Sequence, residues 1–436
     1  MTRRSIPLVA AAVMLAACGG DDDTTDAPDA TTAPLVSEAS RDPGESATAD
    51  TAPGSTVTER DSTPVEVTVA PSPGDAPVGS APADTAVSGL EMFRTRDVPA
   101  GAPDPLVGFD EIRSGGPPPD GIPPVDEPVF VPAADIDFLA DNEPVLALEI
   151  DGDARAYPVQ IMTWHEIVND TVADIPVAVT YCPLCNSAVA YDRRLDDRVL
   201  DFGTSGLLYH SALVMYDRQT ETLWSHFTGE GIIGELTGTD LDAFPLATVA
   251  WSTWRDANPD GLVLGRDTGF ERDYGRNPYP GYDDVEGIPF LFEGEVDGRY
   301  TALTRIVGIE RDDAAVGIPL VDLEAAEVIS GEIAGTPLVA LWAAGTSSAL
   351  DTADIASGTD VGATGVFVPE ADGTALTFTA NGDGTFTDEQ TGSRWSILGE
   401  AVDGDLAGTR LEPLVHVDTF WFAWSTFRSD TAVITG

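Results

Sequence analysis

The strongest constraint on how this chain can fold is that it resembles itself. Residues 146–188, LALEIDGDARAYPVQIMTWHEIVNDTVADIPVAVTYCPLCNSA, align without a gap to residues 307–349, VGIERDDAAVGIPLVDLEAAEVISGEIAGTPLVALWAAGTSSA, at an offset of 161. Nine positions are identical, against about three expected at ordinary residue frequencies. The likeness resumes downstream. DRQTETLWS at 217–225 matches DEQTGSRWS at 388–396, and WSTWR at 251–255 matches WSTFR at 424–428. Three blocks in one order predict two tandem copies, about 130–265 and 295–434, so the fold must be one that can be built twice.

Each copy reads as β-structure. VLALEIDGDARAYPV is a hairpin, apolar alternation broken by an acidic glycine turn. IPVAVTY and SAVAYDR are buried strands, and GTALTFTANGDGTFTDEQTG is a further hairpin. The NGDG in that hairpin does not keep the ligand spacing of a calcium loop, so it is a turn. Short helices fit TVAWSTWRDANP, DTFWFAWSTFR and the segment from Thr163 to Asn169. The two tryptophan-rich helices should pack on a sheet, since aromatic stripes at helical spacing build cores. The expected class is therefore mainly β, a β-rich α+β fold.

The chain opens MTRRSIPLVAAAVMLAAC: two arginines, an apolar run and small residues before Cys18. This is a secretory signal, too short to stay as a membrane span of about 20 residues. Leu15-Ala16-Ala17-Cys18 also resembles a bacterial lipobox, which makes residues 1–18 a lipoprotein signal peptide and Cys18 the lipidated anchor on the extracytoplasmic face of the cell membrane. Residues 19–95 are an Ala/Thr/Pro/Asp tract too poor in apolar side chains to offset its ordering entropy, hence a disordered acidic tether. The first copy then occupies 96–290 and the second 291–436.

The formal charge is -52; residues 19–90 contribute -12 and residues 1–18 add +2, leaving -42 on the remainder. A folded part so acidic repels nucleic acid and anionic lipid, so neither is an expected partner. Lysine is absent and every cation is arginine.

Two cysteines remain after export, in VTYCPLCNSA, and three readings compete for them. The first is a metal knuckle: Cys-Pro-x-Cys followed by a residue that tolerates left-handed backbone, Asn186. Such a turn supplies two ligands, and the others must be His, Asp, Glu or Met. The second copy has Ala343, Thr346 and Ala326 in place of Cys182, Cys185 and His165, with Phe386 facing Met215 and Ile397 facing His226. Loss of every soft ligand together is what one shared site would give. The proposed ligand set is Cys182, Cys185 and His165, with His226 or Met215 as a fourth, for copper or zinc.

The second reading is redox, Cys182 attacking and Cys185 resolving in a thiol-disulfide oxidoreductase of exported proteins. That chemistry favours a helix beginning at the first cysteine, whereas NSAVAYDRR alternates like a strand. The third is a structural disulfide, which closes a very short loop and stabilises little. A further class is a non-catalytic interaction module, the acidic surface and tether serving display and the cysteines incidental.

His165-Glu166 is a possible acid/base pair, but Glu166 recurs as Glu327, which favours a structural role. Asp217, Gln219, Thr220 and Trp224 recur in the second copy, and so read as a turn. His210 is placed to line a pocket, and His416 belongs to the degenerate copy. No phosphate loop, nucleophile elbow or helical metalloprotease pair is present.

WHEIVND, TYCPLCNSAVAYDR, FGTSGLLYHSALVMYDRQTETLWS, GRDTGFERDYGRNPY and HVDTFWFAWSTF together resemble domain of unknown function family 3179, found in bacteria and archaea. The resemblance covers about residues 105–434. It implies an extracytoplasmic, often membrane-anchored protein and carries no activity with it. Members usually have Gly after the second cysteine and Asn where His210 stands, so this chain departs at Asn186 and His210.

Overall fold

The computed structural model describes residues 89–96 and 98–436. The signal peptide, Cys18 and residues 19–88 of the expected tether lie outside them. Among the described residues no helix is long and apolar enough to cross a membrane.

The protein is mainly β, as its alternating sequence requires. It starts earlier than the sequence indicates. Gly89–Thr95, assigned above to the tether, is helix α1, because Phe93 is buried at 1% exposure and packs on Tyr216 at 5.3 Å. The DG turn makes Pro144–Ile150 and Asp153–Pro158 a hairpin, with Asp151 and Gly152 both at positive φ. Chain order continues through helix α2 (Val159–His165) and strands Ile167–Val172, Ile175–Cys182 and Ser187–Asp192. The sequence places this helix at 163–169; it begins and ends four residues earlier, because Glu166 takes a left-handed φ of 59° and turns the chain into a strand.

The order hairpin, helix, strand pair recurs at the 161-residue offset. Arg305–Arg311 pairs with Ala314–Pro319, helix α4 is Leu320–Ala326, and Val328–Ile333 pairs with Thr336–Ala343. Register is kept as well: Val145↔Pro158 and Ile150↔Asp153 correspond to Ile306↔Pro319 and Arg311↔Ala314. Glu327 ends α4 at a φ of 57°.

Two parts of the sequence alignment need correction. The gapless match stops at Cys182 and Ala343: Cys182 pairs with Ser187 across a four-residue loop, while Ala343 pairs with Ala363 across residues 344–362. Ser187 therefore corresponds to Ala363 and not to Ser348, and Cys185 has no counterpart. The tryptophan block is displaced by three. Helix α3 (Trp251–Ala257) follows a strand in which Ala250 opposes Pro144, and helix α5 (Trp421–Phe427) follows one in which Phe420 opposes Arg305. Trp251 and Trp254 thus match Trp421 and Trp424. The slip arose because each helix repeats tryptophan at i and i+3, on one face.

All four of these rings are at most 2% exposed, as expected of core aromatics. Removing each from water is worth roughly 4–6 kcal/mol at about 25 cal/mol per Å².

Candidate functional site

The CPLC stretch closes the hairpin between Ile175–Cys182 and Ser187–Asp192. Asn186 donates its N–H to Pro183 O at 3.2 Å and has a φ of 50°. The thiols therefore sit on a strand-to-strand turn and not at a helix N-terminus. Both are free and buried. The turn is held from outside by later segments of the chain. Cys185 O accepts from Thr419 Oγ1 at 2.7 Å and Phe420 N at 3.1 Å, and Leu184 O accepts from Tyr282 Oη at 2.9 Å.

Behind Cys185 runs a hydrogen-bond chain whose direction can be read. Thr180 Oγ1 donates to Val189 O at 2.9 Å, so its other contact, His226 Nδ1 at 2.9 Å, must donate to it. His226 Nε2 is then the bare nitrogen and accepts from Ser187 Oγ at 2.8 Å. Ser187 Oγ, 3.0 Å from the Cys185 sulfur, keeps a lone pair for the one Cys185 proton, for which the Cys182 sulfur competes. The second half has Ala363 and Ile397 where Ser187 and His226 stand, so it cannot form this chain.

The two thiols are unlike. Burial alone would push Cys182 up, but the Cys185 thiol and the backbone N–H groups of Leu213, Cys185 and Leu184 outweigh it and hold Cys182 below the ordinary value. Burial, then the Cys182 sulfur and its charge, push Cys185 well above it. Of the two thiols Cys182 is therefore the first to ionise, and Cys185 holds its proton the longer.

Glu166 completes the site. Its backbone caps α2, N–H to Met162 O at 2.7 Å, and its carbonyl accepts from Tyr181 N at 2.8 Å. Glu327 makes the same two bonds, to Leu323 O and from Trp342 N. The backbone role is thus common to both residues and the side-chain role is not. The Glu166 carboxyl is buried, has no hydrogen-bond partner among the described residues, and is pushed well up by burial and by the charge of Cys182. It lines a mostly apolar cleft of about 850 Å³, open mouth included, with Trp164, Leu184, Leu213, Arg272 and Tyr279. Burial and the charges of Glu166 and Cys182 raise Tyr279 well above the usual phenol value.

Of the candidate ligands, Cys182, Cys185, Met215 and the Trp224 beside it share one core cluster, and His226 reaches Cys185 through Ser187. His165 faces elsewhere: Nδ1 donates to Pro123 O at 2.7 Å, and Nε2 accepts from Tyr274 Oη at 2.6 Å. Among the described residues no three His, Cys, Asp or Glu side chains are grouped to hold a metal ion. His210 and Ser211, at φ 49° and 64°, form the two-residue turn between Phe202–Tyr209 and Ala212–Asp217. His416 donates Nδ1–H to Leu414 O at 3.0 Å, away from the thiols. Asp217 accepts from Thr220, Thr222 and Trp224, the turn expected of it.

Sequence reasoning missed Ser187, Thr180 and the tyrosines Tyr274, Tyr279 and Tyr282. The last three come from residues 265–304, whose aromatic density was the available signal.

Burial lowers both His165 and His226 to about 4, partly opposed by the Pro123 and Ser187 carbonyls, with Arg272 lowering His165 further. A depressed histidine favours the fold at pH above its unfolded value of about 6.5, and that contribution is lost as pH falls from there to about 4, at about 1.4 kcal/mol per unit and ring. Buried carboxyls such as Glu166 titrate in the opposite sense, so the rings themselves are the readout. Their NMR resonances should hold still from about pH 8 to 5 and move only near 4; midpoints near 6.5 would show the rings to be solvated.

No curated protein and no solved structure matches the chain. The family described as protein of unknown function (DUF3179) matches residues 119–431, well over half of the chain and the whole of the site. The chain belongs to that family.

Proposed function

We propose that the protein is a lipid-anchored extracytoplasmic protein, built from two diverged copies of one β-rich unit, whose first copy carries a dithiol centre. The centre exchanges disulfides with a small compound held in the Glu166 cleft. The observation that carries this reading is the one-way chain Cys185–Ser187–His226–Thr180, which gives the second thiol a route for its proton.

Cys182, as thiolate, attacks one sulfur of a disulfide; a Cys182–S–S–R bond forms and the other half leaves as a thiolate, which takes the Glu166 proton. Cys185 then passes its proton through Ser187 to His226. Its sulfur attacks Cys182, and R–S⁻ leaves and recovers that proton. The substrate is reduced to two thiols and the protein is oxidised to a Cys182–Cys185 disulfide. Cys182 is 1% exposed and its neighbours Leu184, Leu213 and Glu166 line the cleft, which favours a small disulfide over a folded protein. Arg272 suits a substrate with an anionic group.

Copper(I) binding is the second reading, favoured by the backbone N–H groups that converge on Cys182. Two thiolates suit a soft d¹⁰ ion better than zinc, which takes four ligands.

One experiment separates the two. The full chain is equilibrated in glutathione buffers and its thiols are counted, with elemental analysis on the same sample. The dithiol reading expects both thiols to disappear in a single two-electron step, about 30 mV per tenfold change in ratio. Thiols unresponsive to glutathione, with about one copper per chain that is lost in Cys182→Ser, would replace it with the metal reading.

A further inference from the structure

A second cleft, of about 570 Å³ including its mouth, lies on the side of the thiol hairpin that carries Tyr181, Asn186 and Ala188. Its two charged groups are each held by one end and open at the other. Arg305 Nη2 is fixed by Asp283 Oδ2 at 2.7 Å and Ser348 Oγ at 2.8 Å. Its Nε and Nη1 have no hydrogen-bond partner among the described residues. Asp418 Oδ1 accepts from Thr364 Oγ1 at 2.7 Å, and Oδ2 has no such partner. Neither open group is sealed from solvent. Thr346, on the same wall, has a buried hydroxyl without a partner. Val159, Ile306, Leu320 and Ala349 give the lining its apolar part.

We propose that this cleft binds a free α-amino acid with an apolar side chain, its carboxylate on Arg305 and its ammonium on Asp418. Polar and charged groups set beside apolar lining are what fixes a small ligand in place. Arginine is the side chain best matched to a carboxylate. Both charges are oriented by Thr364, Asp283 and Ser348 before any ligand arrives, which lowers the ordering cost of binding. Burial pushes the Asp418 carboxyl up despite His416, Thr364 and Arg305; an ammonium beside it would restore the charged form. The cleft shares no lining residue with the Glu166 cleft, so the inference stands apart from the dithiol reading.

The test is calorimetry on the full chain with four probes: L-leucine, L-alanine, acetate and methylammonium. The amino acids are expected to bind at one site, leucine tighter, with each half-molecule weaker by at least about tenfold. Asp418→Asn, which can still accept from Thr364, should weaken leucine by about tenfold or more at unchanged melting temperature. No heat from either amino acid at about 10 mM, or leucine bound no better than acetate, overturns the proposal. If Asp418→Asn does not fold, the comparison of probes on the parent protein still decides.

Discussion

Replacing Asp217 with alanine is expected to cost the fold about 4 kcal/mol, near the top of what single substitutions do. Asp217 is fully buried and its two oxygens accept from Thr220 N at 2.6 Å, Thr220 Oγ1 at 2.7 Å, Thr222 N at 3.2 Å and Trp224 Nε1 at 3.0 Å. Alanine leaves several buried donors unsatisfied at roughly 1–3 kcal/mol each. Asparagine should rescue little, because its NH₂ must face a donor where the carboxylate offered only acceptors. Asp388 accepts from Thr391, Ser393 and Trp395 in the same pattern, so Asp388→Ala should cost a similar amount. Urea unfolding at pH 7 is the measurement. A loss below about 1 kcal/mol in Asp217→Ala, or loss of activity at unchanged stability, would show the carboxylate to be functional and not a turn clasp.

That clasp was legible because the chain spells it twice, Asp-x-Gln-Thr and then Trp, and a pattern that also stands where there are no thiols points to the scaffold. Hairpins were legible for a related reason. Turns such as Asp151-Gly152 demand positive φ, and few residue types supply it. The same chemistry applies at Asn186 and His210, which both hold left-handed backbone, at 50° and 49°, a conformation that Gly and Asn adopt most readily.

What stayed hidden depends on distant partners. His165 looked like a ligand because Ala326 stands in its place where the cysteines are also replaced, yet its ring is claimed by Tyr274, 109 positions away. The helix boundary at Glu166 was missed because a glutamate gives no local signal for left-handed geometry. The segment 265–304 has no regular periodicity, and still supplies the tyrosines around the site. The hydrogen-bond chain behind Cys185 needed Thr180 and Ser187, on paired strands, and His226, in the turn after a strand of another sheet, to be seen at once, and the gapless alignment had hidden Ser187 by matching it to Ser348.

Exchanging each cysteine for serine is expected to give opposite results. Cys182→Ser removes the attacking sulfur, and reduction of a small disulfide should fall by about 10³-fold or more. Cys185→Ser keeps the attacking thiolate but cannot resolve the intermediate, so the chain should accumulate one covalent R–S adduct, visible as a mass increase and released by added thiol. The asymmetry follows from position: Cys182 receives three backbone N–H groups and adjoins the cleft wall, while Cys185 faces Ser187. In the resting state the Cys185 proton is shared toward the Cys182 thiolate. Once Cys182 is tied up in the adduct that acceptor loses its charge, and the proton turns to Ser187 and His226. His226→Gln should therefore leave adduct formation near its parent rate and slow its resolution, with the pH dependence of resolution altered. Adduct on Cys182→Ser instead of Cys185→Ser would reverse the two roles, and failure of both variants to differ from the parent would remove the thiols from the chemistry altogether.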